Sequence, residues 1–220
     1  MSCFRYIDLG SIEYNEALHV QTEAFQQLID AKTKEKHEVN TLYFCEHKPV
    51  FTLGNHGNAS NLLASEALLQ EKGISLFRTN RGGDITFHGP GQITGYPVFD
   101  LERFGMGLRQ YVETLEEIII RFLSIYDIKG ERMTGATGVW IEPETERARK
   151  IAAIGVRSSR FVTMHGFALN INTDLSYFAM IHPCGFIDKG VTSLAAESDC
   201  VIDFEKCKMQ LVEGFMEFFS

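Results

Sequence analysis

The spacing of hydrophobic residues along the chain predicts four helices, and in three of them apolar side chains recur close to a 3.6-residue period. The clearest stripe is formed by Val112, Leu115, Ile118, Ile119, Phe122 and Leu123. A stripe of this kind is typical of a helix packed on a sheet, so we interpret it as part of the core. The predicted helices cover residues 13–29, 60–72, 108–126 and 202–218.

Short apolar runs bounded by turn residues predict β-strands between these helices. The predicted strands and hairpins cover residues 41–45, 49–53, 74–79, 138–156 and 161–173. In the hairpin, the charged turn PETERAR leads to Lys150 at the start of the returning strand. A helical turn is expected over residues 174–180. No repeat or linker interrupts this alternation, so the sequence predicts one domain over residues 1–220.

One stretch, RGGDITFHGPGQITGYPVFDL at residues 81–101, differs from the rest because glycine and proline are interleaved with strand-forming residues. Glycine permits backbone conformations and close approaches that other residues resist. The stretch is therefore interpreted as strand, turn and strand folded around a group that touches the main chain. A glycine-rich β-hairpin without a ligand is the alternative, since glycine patterns alone are weak signals of function.

Composition narrows the class of protein. The chain is 45% hydrophobic and 23% charged, and its net charge is −8. An acidic surface argues against a nucleic-acid-binding protein, because phosphates need basic partners. No run of about 18 apolar residues predicts a membrane-spanning helix. The N-terminal sequence lacks the basic and apolar regions of a secretory signal, so a cytoplasmic location is expected.

The five cysteines show no CxxC pair and no spacing typical of zinc ligands, so neither a disulfide framework nor a metal site is expected. Cys184 stands between proline and glycine, which places it on a tight turn. It is interpreted either as a nucleophile or as a structural turn thiol, whereas Cys45 and Cys207 fit packing roles. A nucleophilic cysteine needs a group that favours its thiolate.

Lys150 opens the apolar strand KIAAIG, where partial burial would suit it to act as a base. The alternative is an ordinary surface lysine. His88, His165 and His182 are rival bases. His88 and His165 each precede a glycine, and either one fits a hydrogen-bonded core histidine equally well.

The sequence resembles the lipoyl(octanoyl) transferase family. The resemblance rests on RGGDITFHGPGQITGYPVFDL, TGVWIE, RKIAAIGVRSSRFVTMHGFALNIN, DLSYFAMIHPCGF and GVTSL, in that order, between about residues 78 and 194. Residues 1–70 and 195–220 match only in general layout. His182 departs from the pattern, since an apolar residue is expected two positions before the cysteine.

The resemblance implies transfer of an octanoyl group from acyl carrier protein to a lysine of a lipoyl domain, through a thioester on a cysteine. It implies that Cys184 is this cysteine and that Lys150 is its partner. It also assigns the acyl site, whose small residues would leave a slot for an eight-carbon chain. The assigned residues are Arg81, Gly82, Gly83, Asp84, Ile85, Thr86, Phe87, His88, Ala153, Ile154, Gly155, Gly166, Phe167 and Ala168.

The implied fold is the α/β type shared with lipoate and biotin protein ligases, a mixed sheet flanked by helices. No cofactor is implied. The implied donor is octanoyl-acyl carrier protein, and the implied acceptors are lipoyl domains of 2-oxoacid dehydrogenase acyltransferase subunits and the glycine cleavage H protein. Because such partners are acidic, docking is expected at a basic patch formed by Arg147, Arg149, Arg157 and Arg160.

Two other functions stay open. The first is an ATP-dependent lipoate or biotin ligase of the same fold, against which the proline-cysteine-glycine turn speaks. The second is a protein that binds acyl groups or lipoyl domains without catalysis, in which the paired Cys184 and Lys150 would have no purpose.

Overall fold

Two β-sheets and the helices that cover them form the described part of the chain. The structure, a computed structural model, describes residues 3–34, 38–182 and 189–220. The α-helices are α1 Tyr14–Thr33, α2 Glu66–Glu71, α3 Leu108–Ser124, α4 Leu194–Glu197 and α5 Phe204–Phe218. The strands are β1 Phe4–Ile12, β2 Asn40–His47, β3 Val50–Leu53, β4 Ser75–Arg78, β5 Ile85–His88, β6 Gln92–Val98, β7 Glu131–Met133, β8 Ala136–Ile141, β9 Arg149–Ser159, β10 Val162–Asn170 and β11 Gly190–Val191. Short 3-10 helices lie at Ala59–Asn61, Leu101–Phe104 and Leu175–Met180.

The larger sheet is mixed. Within the described residues its strands follow the order β1, β2, β6, β10, β9, β8 and β7, and β11 pairs with β9. The β1–β2 and β9–β11 pairs are parallel. The neighbouring pairs β2–β6, β6–β10, β10–β9 and β9–β8 are antiparallel. The predicted hairpin is confirmed as β8 and β9, and the strand predicted after it is confirmed as β10.

Helices cover both faces of this sheet. The apolar stripe of α3 is buried as predicted except for Val112, which is half-buried, and it packs with α5 against one face in the largest core cluster. Phe215 of α5 is fully buried there, where its ring stacks on that of Phe167 in β10. On the opposite face, α1 buries Phe25 and Leu28 against strand residues that include Met164.

The smaller sheet has the strand order β4, β3, β5, and it packs against the 3-10 helix Leu175–Met180. That helix follows Asp174, whose side chain accepts a hydrogen bond from the backbone of Ser176 and confirms the predicted helical turn. Some strands that follow one another in the sequence lie in different sheets. β2 and β3 belong to different sheets, and so do β5 and β6, so the glycine-rich stretch is not a hairpin.

One prediction about local structure is wrong, and one strand was not predicted. Within residues 60–72 the α-helix begins only at Glu66, because the amides of Leu63 and Ala64 donate to the carbonyl oxygen of Met180 and Ser65 caps the helix that follows. The sequence analysis missed β1, an edge strand of the larger sheet that buries only Phe4 among its side chains. An edge strand with one buried residue lacks the apolar pattern that reveals interior strands.

Candidate active site

A cavity of about 490 Å³ lies between β5, the glycine-rich loop before it and strands β9 and β10 of the larger sheet. Its volume lies within the usual range for small-molecule sites, roughly 300–1,000 Å³. Every residue that the resemblance assigns to the acyl site lines this cavity except Phe87, and Lys150 lines it too. The structure thus brings together residues from two distant parts of the sequence.

The side chain of Phe87 does not line the cavity, although its neighbours Thr86 and His88 do. The ring of Phe87 is buried in the core of the smaller sheet. There its ring stacks on that of Tyr177, with 4.5 Å between the ring centroids. Phe87 therefore supports the cavity wall without forming its surface.

Close packing of backbone against backbone explains the glycines that open the stretch. The amide of Gly82 donates a hydrogen bond to the carbonyl oxygen of Val156 at 3.0 Å, which ties the loop to β9. A Cβ atom on Gly155 would lie 2.7 Å from the carbonyl oxygen of Gly82. Gly83 has a φ of 88°, a backbone conformation that favours glycine. The group that touches the main chain here is the neighbouring strand.

Arg81 holds the same loop in shape. Its guanidinium is buried and donates hydrogen bonds to the carbonyl oxygens of Gly82 at 2.9 Å, Asp84 at 2.7 Å and Thr52 at 2.7 Å. The planar guanidinium, with five N–H donors, can donate to several carbonyl oxygens at once. The carboxylate of Asp84 in turn accepts from the backbone of Asn58 at 3.0 Å. These bonds fix the loop that forms one wall of the cavity.

Lys150 is almost completely buried, with 7% of its surface exposed. Its Nζ donates a hydrogen bond to the carbonyl oxygen of Thr137 at 3.1 Å and lies 4.6 Å from the centre of the Trp140 ring. An amine in this position faces the cavity from the sheet and is partly removed from water. The expectation that Lys150 begins the returning strand is confirmed, and the strand lies inside the sheet.

A β-bulge directs Lys150 into the cavity. Along β8 and β9, Val139 pairs with Ala152 but the next residue, Trp140, pairs with Lys150, so β9 has one extra residue at this point. In a regular strand, adjacent residues face opposite sides. Here the adjacent residues Ile151 and Ala152 both belong to the core cluster under α3 and α5, and Lys150 is left to line the cavity. Bulges that re-aim side chains are common next to active sites.

His88 is a buried and neutral histidine. Its Nδ1 lies 2.8 Å from Oε1 of Gln92, whose Nε2 donates to Phe87 and Asn170 and so identifies Oε1 as the acceptor. Its Nε2 faces the hydroxyl of Thr52 at 3.3 Å. Burial, with nearby histidine and arginine charges, holds the pKa of His88 well below its usual value. Both ring nitrogens are therefore engaged by the protein.

His165 is also neutral at pH 7. Its Nε2 lies 2.8 Å from Oδ1 of Asn80, and its backbone amide donates to Gln21. Burial, followed by the charges of Arg81 and Arg157, lowers the pKa of His165 to about 3. Its φ of 59° is a left-handed conformation that is uncommon for residues other than glycine. Of the third rival base, His182, the backbone amide binds the carbonyl of Asn61.

Several lining residues were not predicted from the sequence, among them Tyr14, Tyr96 and Thr94. The ring of Tyr14 stacks on that of His88, with 6.0 Å between centroids. The hydroxyl of Tyr96 lies 2.7 Å from Nε2 of His47. Tyr14 belongs to the apolar face predicted for α1, and nothing in that pattern indicates that this part of the face covers a cavity.

Cys184 lies outside the described residues, as does the rest of the segment 183–188. The chain on either side of this segment is described. Ile181 is buried and bridges to Leu62. Val191, in β11, pairs with Lys150 on β9. The packing roles predicted for Cys45 and Cys207 are confirmed, since both are buried and burial raises the pKa of each thiol.

The four arginines expected to form one basic patch lie in two places. Arg147 and Arg149 lie at the start of β9 and form ion pairs with Glu142, and Arg149 also pairs with Glu197. Arg157 and Arg160 lie at the other end of β9 and line a surface cleft of about 440 Å³ beside α1. The expectation of a single patch is therefore wrong, because strand β9 separates the two pairs.

Within residues 3–34, 38–182 and 189–220, no group of three or more His, Cys, Asp or Glu side chains is arranged to hold a metal ion. No helix in this same part of the chain has the length and apolar character needed to cross a bilayer.

Comparison with known proteins identifies the family. Residues 13–216 match the family described as the lipoyl protein ligase A/B catalytic domain. An octanoyltransferase from Parabacteroides distasonis is 65% identical over 221 residues, which cover 100% of both chains. The chain belongs to the octanoyltransferases of this family. An octanoyltransferase from Porphyromonas gingivalis is 54% identical over 218 residues, which are 99% of this chain and 44% of that protein.

These octanoyltransferase relatives confirm the resemblance found in the sequence motifs. They show that the chain is an acyltransferase, of the class that transfers lipoyl or octanoyl groups. A bipartite lipoate protein ligase from Thermoplasma acidophilum has a similar solved structure, with a TM-score of 0.71. It is 17% identical, and the match covers 99% of this chain and 84% of that one. At this identity the likeness concerns the fold alone, and it confirms the predicted ligase-like mixed α/β fold.

Proposed function

We propose that this chain transfers an octanoyl group from octanoyl-acyl carrier protein to a lysine of a lipoyl domain, through a thioester on Cys184. The observation that carries the proposal is the buried amine of Lys150, which faces a cavity lined by the residues assigned to the acyl site. The relatives named octanoyltransferase support the choice of acyl group.

In the first proposed step, the Cys184 thiolate attacks the carbonyl carbon of the donor thioester. A new C–S bond forms to Cys184, the C–S bond to the carrier breaks, and the departing carrier thiolate takes a proton from the Lys150 ammonium. A free thiol has a pKa of about 8.5, so a neighbouring ammonium is needed to favour the reactive thiolate at pH 7.

In the second proposed step, the amine of the target lysine attacks the octanoyl carbon. A C–N bond forms, the C–S bond to Cys184 breaks, and the neutral Lys150 accepts the proton that the amine loses. The Cys184 thiolate and the Lys150 ammonium are thereby restored. Thioester exchange costs little free energy and amide formation is favourable, so the cycle needs no ATP. His88 and His165 are weaker candidates for the base, because burial lowers the pKa of both side chains.

The acyl chain is proposed to lie in the cavity against Ile85, Ala153, Ile154 and Ala168. Each buried methylene contributes about 0.8 kcal/mol. Shortening the chain from eight carbons to four would therefore weaken binding by roughly 3 kcal/mol, or about a hundredfold. The tyrosines Tyr14 and Tyr96 line the same cavity and would limit how long a chain it accepts.

We further propose that residues 1–220 act as one catalytic domain. The acceptors would be lipoyl domains of 2-oxoacid dehydrogenase acyltransferase subunits and the glycine cleavage H protein. The carrier is proposed to dock at Arg157 and Arg160, which have no carboxylate within ion-pairing distance among the residues the structure describes. Opposite charges steer such encounters.

A transfer assay without ATP tests the proposal. The purified chain is incubated with octanoyl-acyl carrier protein and a lipoyl domain, and the mass of the lipoyl domain is followed. The proposal predicts octanoylation without nucleotide and its loss in Cys184→Ala and Lys150→Met. If transfer required ATP and survived Cys184→Ala, the ligase alternative would be favoured. Binding of octanoate without any transfer would instead favour the non-catalytic alternative.

A further inference from the structure

We propose that Glu116 on α3 is a positioning residue for Lys150, and that it acts through the peptide group between Thr137 and Gly138. The role given to Lys150 rests on the proposed function. The bonds that link Glu116 to Lys150 are independent of that function, and the test below separates the two.

One planar peptide group connects the two side chains. The backbone amide of Gly138 donates to Oε1 of Glu116 at 2.9 Å. The carbonyl oxygen of Thr137 accepts from Nζ of Lys150 at 3.1 Å. These two atoms belong to the same peptide unit, in which N–H and C=O point in opposite directions when the bond is trans. The carboxylate therefore binds one side of the peptide and the lysine binds the other.

The surroundings hold Glu116 in this position. Its side chain is buried at the centre of α3, with 6% of its surface exposed. Its second carboxylate oxygen accepts from Nε of Arg132 on β7 at 3.1 Å. A buried carboxylate is expected to have such a partner, because burying an unpaired charge is costly. A continuous series of hydrogen bonds thus runs from Arg132 through Glu116 and the peptide group to Lys150.

The conformation of Gly138 makes this peptide orientation possible. Its φ is 120°, which residues with a side chain rarely adopt. A Cβ atom at this position would also lie 2.5 Å from the carbonyl oxygen of Ala152. The amide of Gly138 therefore faces the helix, next to the bulge that directs Lys150 into the cavity.

Two physical effects follow for Lys150. A carboxylate that accepts from the amide polarises the peptide and makes its carbonyl oxygen a stronger acceptor. Hydrogen bonding to a charged group favours its charged form, so Glu116 favours the Lys150 ammonium that the thiolate needs. The same bonds fix the location of Nζ relative to the cavity. Glu116 itself does not line the cavity, so it acts through the peptide rather than on the substrate.

Other charged or titratable groups around Lys150 come from every side of the site. Arg149 is its neighbour on β9, and Trp140 on β8 places its ring 4.6 Å from Nζ. The further groups that line the cavity are Tyr14, His56, Arg81, Asp84, His88, Tyr96 and His165. Glu116→Gln also removes the ion pair with Arg132, and Glu117→Gln controls for this because Glu117 pairs with the same arginine.

The test compares Glu116→Gln with Glu117→Gln in the full chain. Glu117 is a matched control, because it is the next residue on α3 and also pairs with Arg132 at 2.9 Å. Each folded variant is labelled with acetic anhydride across a pH series, and peptide mass spectrometry gives the extent of labelling of each lysine. The exposed Lys206 serves as an internal reference. Acetic anhydride reacts with the neutral amine, and this labelling does not depend on octanoyl transfer by the enzyme.

The proposal predicts that Glu116→Gln increases the labelling of Lys150 several-fold at a fixed pH, because the amine is held less firmly as the ammonium. Glu117→Gln and the Lys206 reference should show no such change. In the pH–rate profile for octanoyl transfer, the limb that reflects ionisation of Lys150 should also shift in Glu116→Gln. An unchanged Lys150 profile in folded Glu116→Gln would overturn the proposal.

A measurement on the unchanged protein covers the case in which Glu116→Gln fails to fold. The amide resonance of Gly138 should follow the same titration as Lys150, because both groups bind one peptide unit. A Gly138 resonance that ignores the ionisation of Lys150 would also overturn the proposal. If instead the increase in labelling appears in a chain without octanoyl transfer, the proposed function is wrong and the link between Glu116 and Lys150 stands.

Discussion

Adding a single methyl group to Gly155 tests how the glycine-rich loop shapes the cavity. In Gly155→Ala, the new Cβ would lie 2.7 Å from the carbonyl oxygen of Gly82 and 3.2 Å from Cδ of Arg81. Ordinary contact begins near 3.4 Å, so the loop must move from β9 by about 0.7 Å. The bond from the Gly82 amide to Val156, now 3.0 Å, would then exceed the usual limit of about 3.2 Å.

The cost is the sum of two effects. Loss of one backbone hydrogen bond costs about 0.5–1.5 kcal/mol, and overpacking costs about 1–3 kcal/mol. We therefore expect the free energy of unfolding to fall by about 2–4 kcal/mol, with Tm lower by roughly 5–10 °C in a chain of this length. Because the loop forms a cavity wall, kcat/KM for octanoyl transfer should fall by about tenfold to a hundredfold.

Thermal unfolding and transfer kinetics measure both effects. Gly107→Ala is the control for a methyl group that meets no atom within 4 Å; because Gly107 is the N-cap of α3, it should lose only about 0.5–1 kcal/mol of stability and no activity. Gly107 lies at the start of α3, outside the cavity. If Gly155→Ala retained the stability and the activity of the parent, the close approach of Gly82 to β9 would not define the cavity wall.

Three further predictions follow from other parts of the structure. Burial lowers the pKa of His47 to about 4 and that of His165 to about 3. In the unfolded chain these histidines bind protons below about pH 6.5. Each should therefore lower the free energy of unfolding by about 1.4 kcal/mol per pH unit as the pH falls from 6.5 toward its folded pKa. Urea unfolding between pH 7 and 5 measures this slope, which His165→Gln should make shallower, and a slope unchanged by that variant would refute the assignment. Ala153→Leu should reduce transfer of octanoyl more than of butanoyl, whereas Phe87→Leu should lower Tm without changing that preference; equal effects of the two variants on chain-length preference would contradict the placement of Phe87. Replacing both Arg157 and Arg160 with Glu should raise the KM for the acyl carrier several-fold at low salt. Arg147→Glu, which changes an arginine already paired with Glu142, should not raise it. If both variants changed the KM equally, the proposed docking surface at Arg157 and Arg160 would be wrong.

Periodic apolar patterns were sufficient to predict the elements that pack on the larger sheet. The stripe of α3 and the β8–β9 hairpin are present because burial of regularly spaced apolar side chains dominates their folding. The edge strand β1 lacks that pattern, and the irregular residues before α2 are held by Met180, more than a hundred positions away. Contacts of that kind leave no local trace in a sequence.

In the candidate active site, too, local sequence patterns predicted some features, and contacts between distant residues determine the others. The glycine-rich loop was expected to touch a group at close range, but its partner, Gly155, lies more than seventy residues further along the chain. The direction of Lys150 depends on a bulge, and a regular strand would place Ile151 and Ala152 on opposite faces. The acyl-site residues came from resemblance. Phe87 alone among them does not line the cavity, because its ring is buried against Tyr177 and Phe178 in the core of the smaller sheet.

The measurement that tests the central claim most directly is the location of the acyl group on the enzyme. The chain is mixed with octanoyl-acyl carrier protein without acceptor, and the modified peptide is sequenced by mass spectrometry. The account predicts one octanoyl thioester, sensitive to hydroxylamine, on Cys184; it should disappear in Cys184→Ala and persist in Cys200→Ala, which removes an exposed thiol. An octanoyl group that forms undiminished in Cys184→Ala, or that maps to another residue, would contradict it.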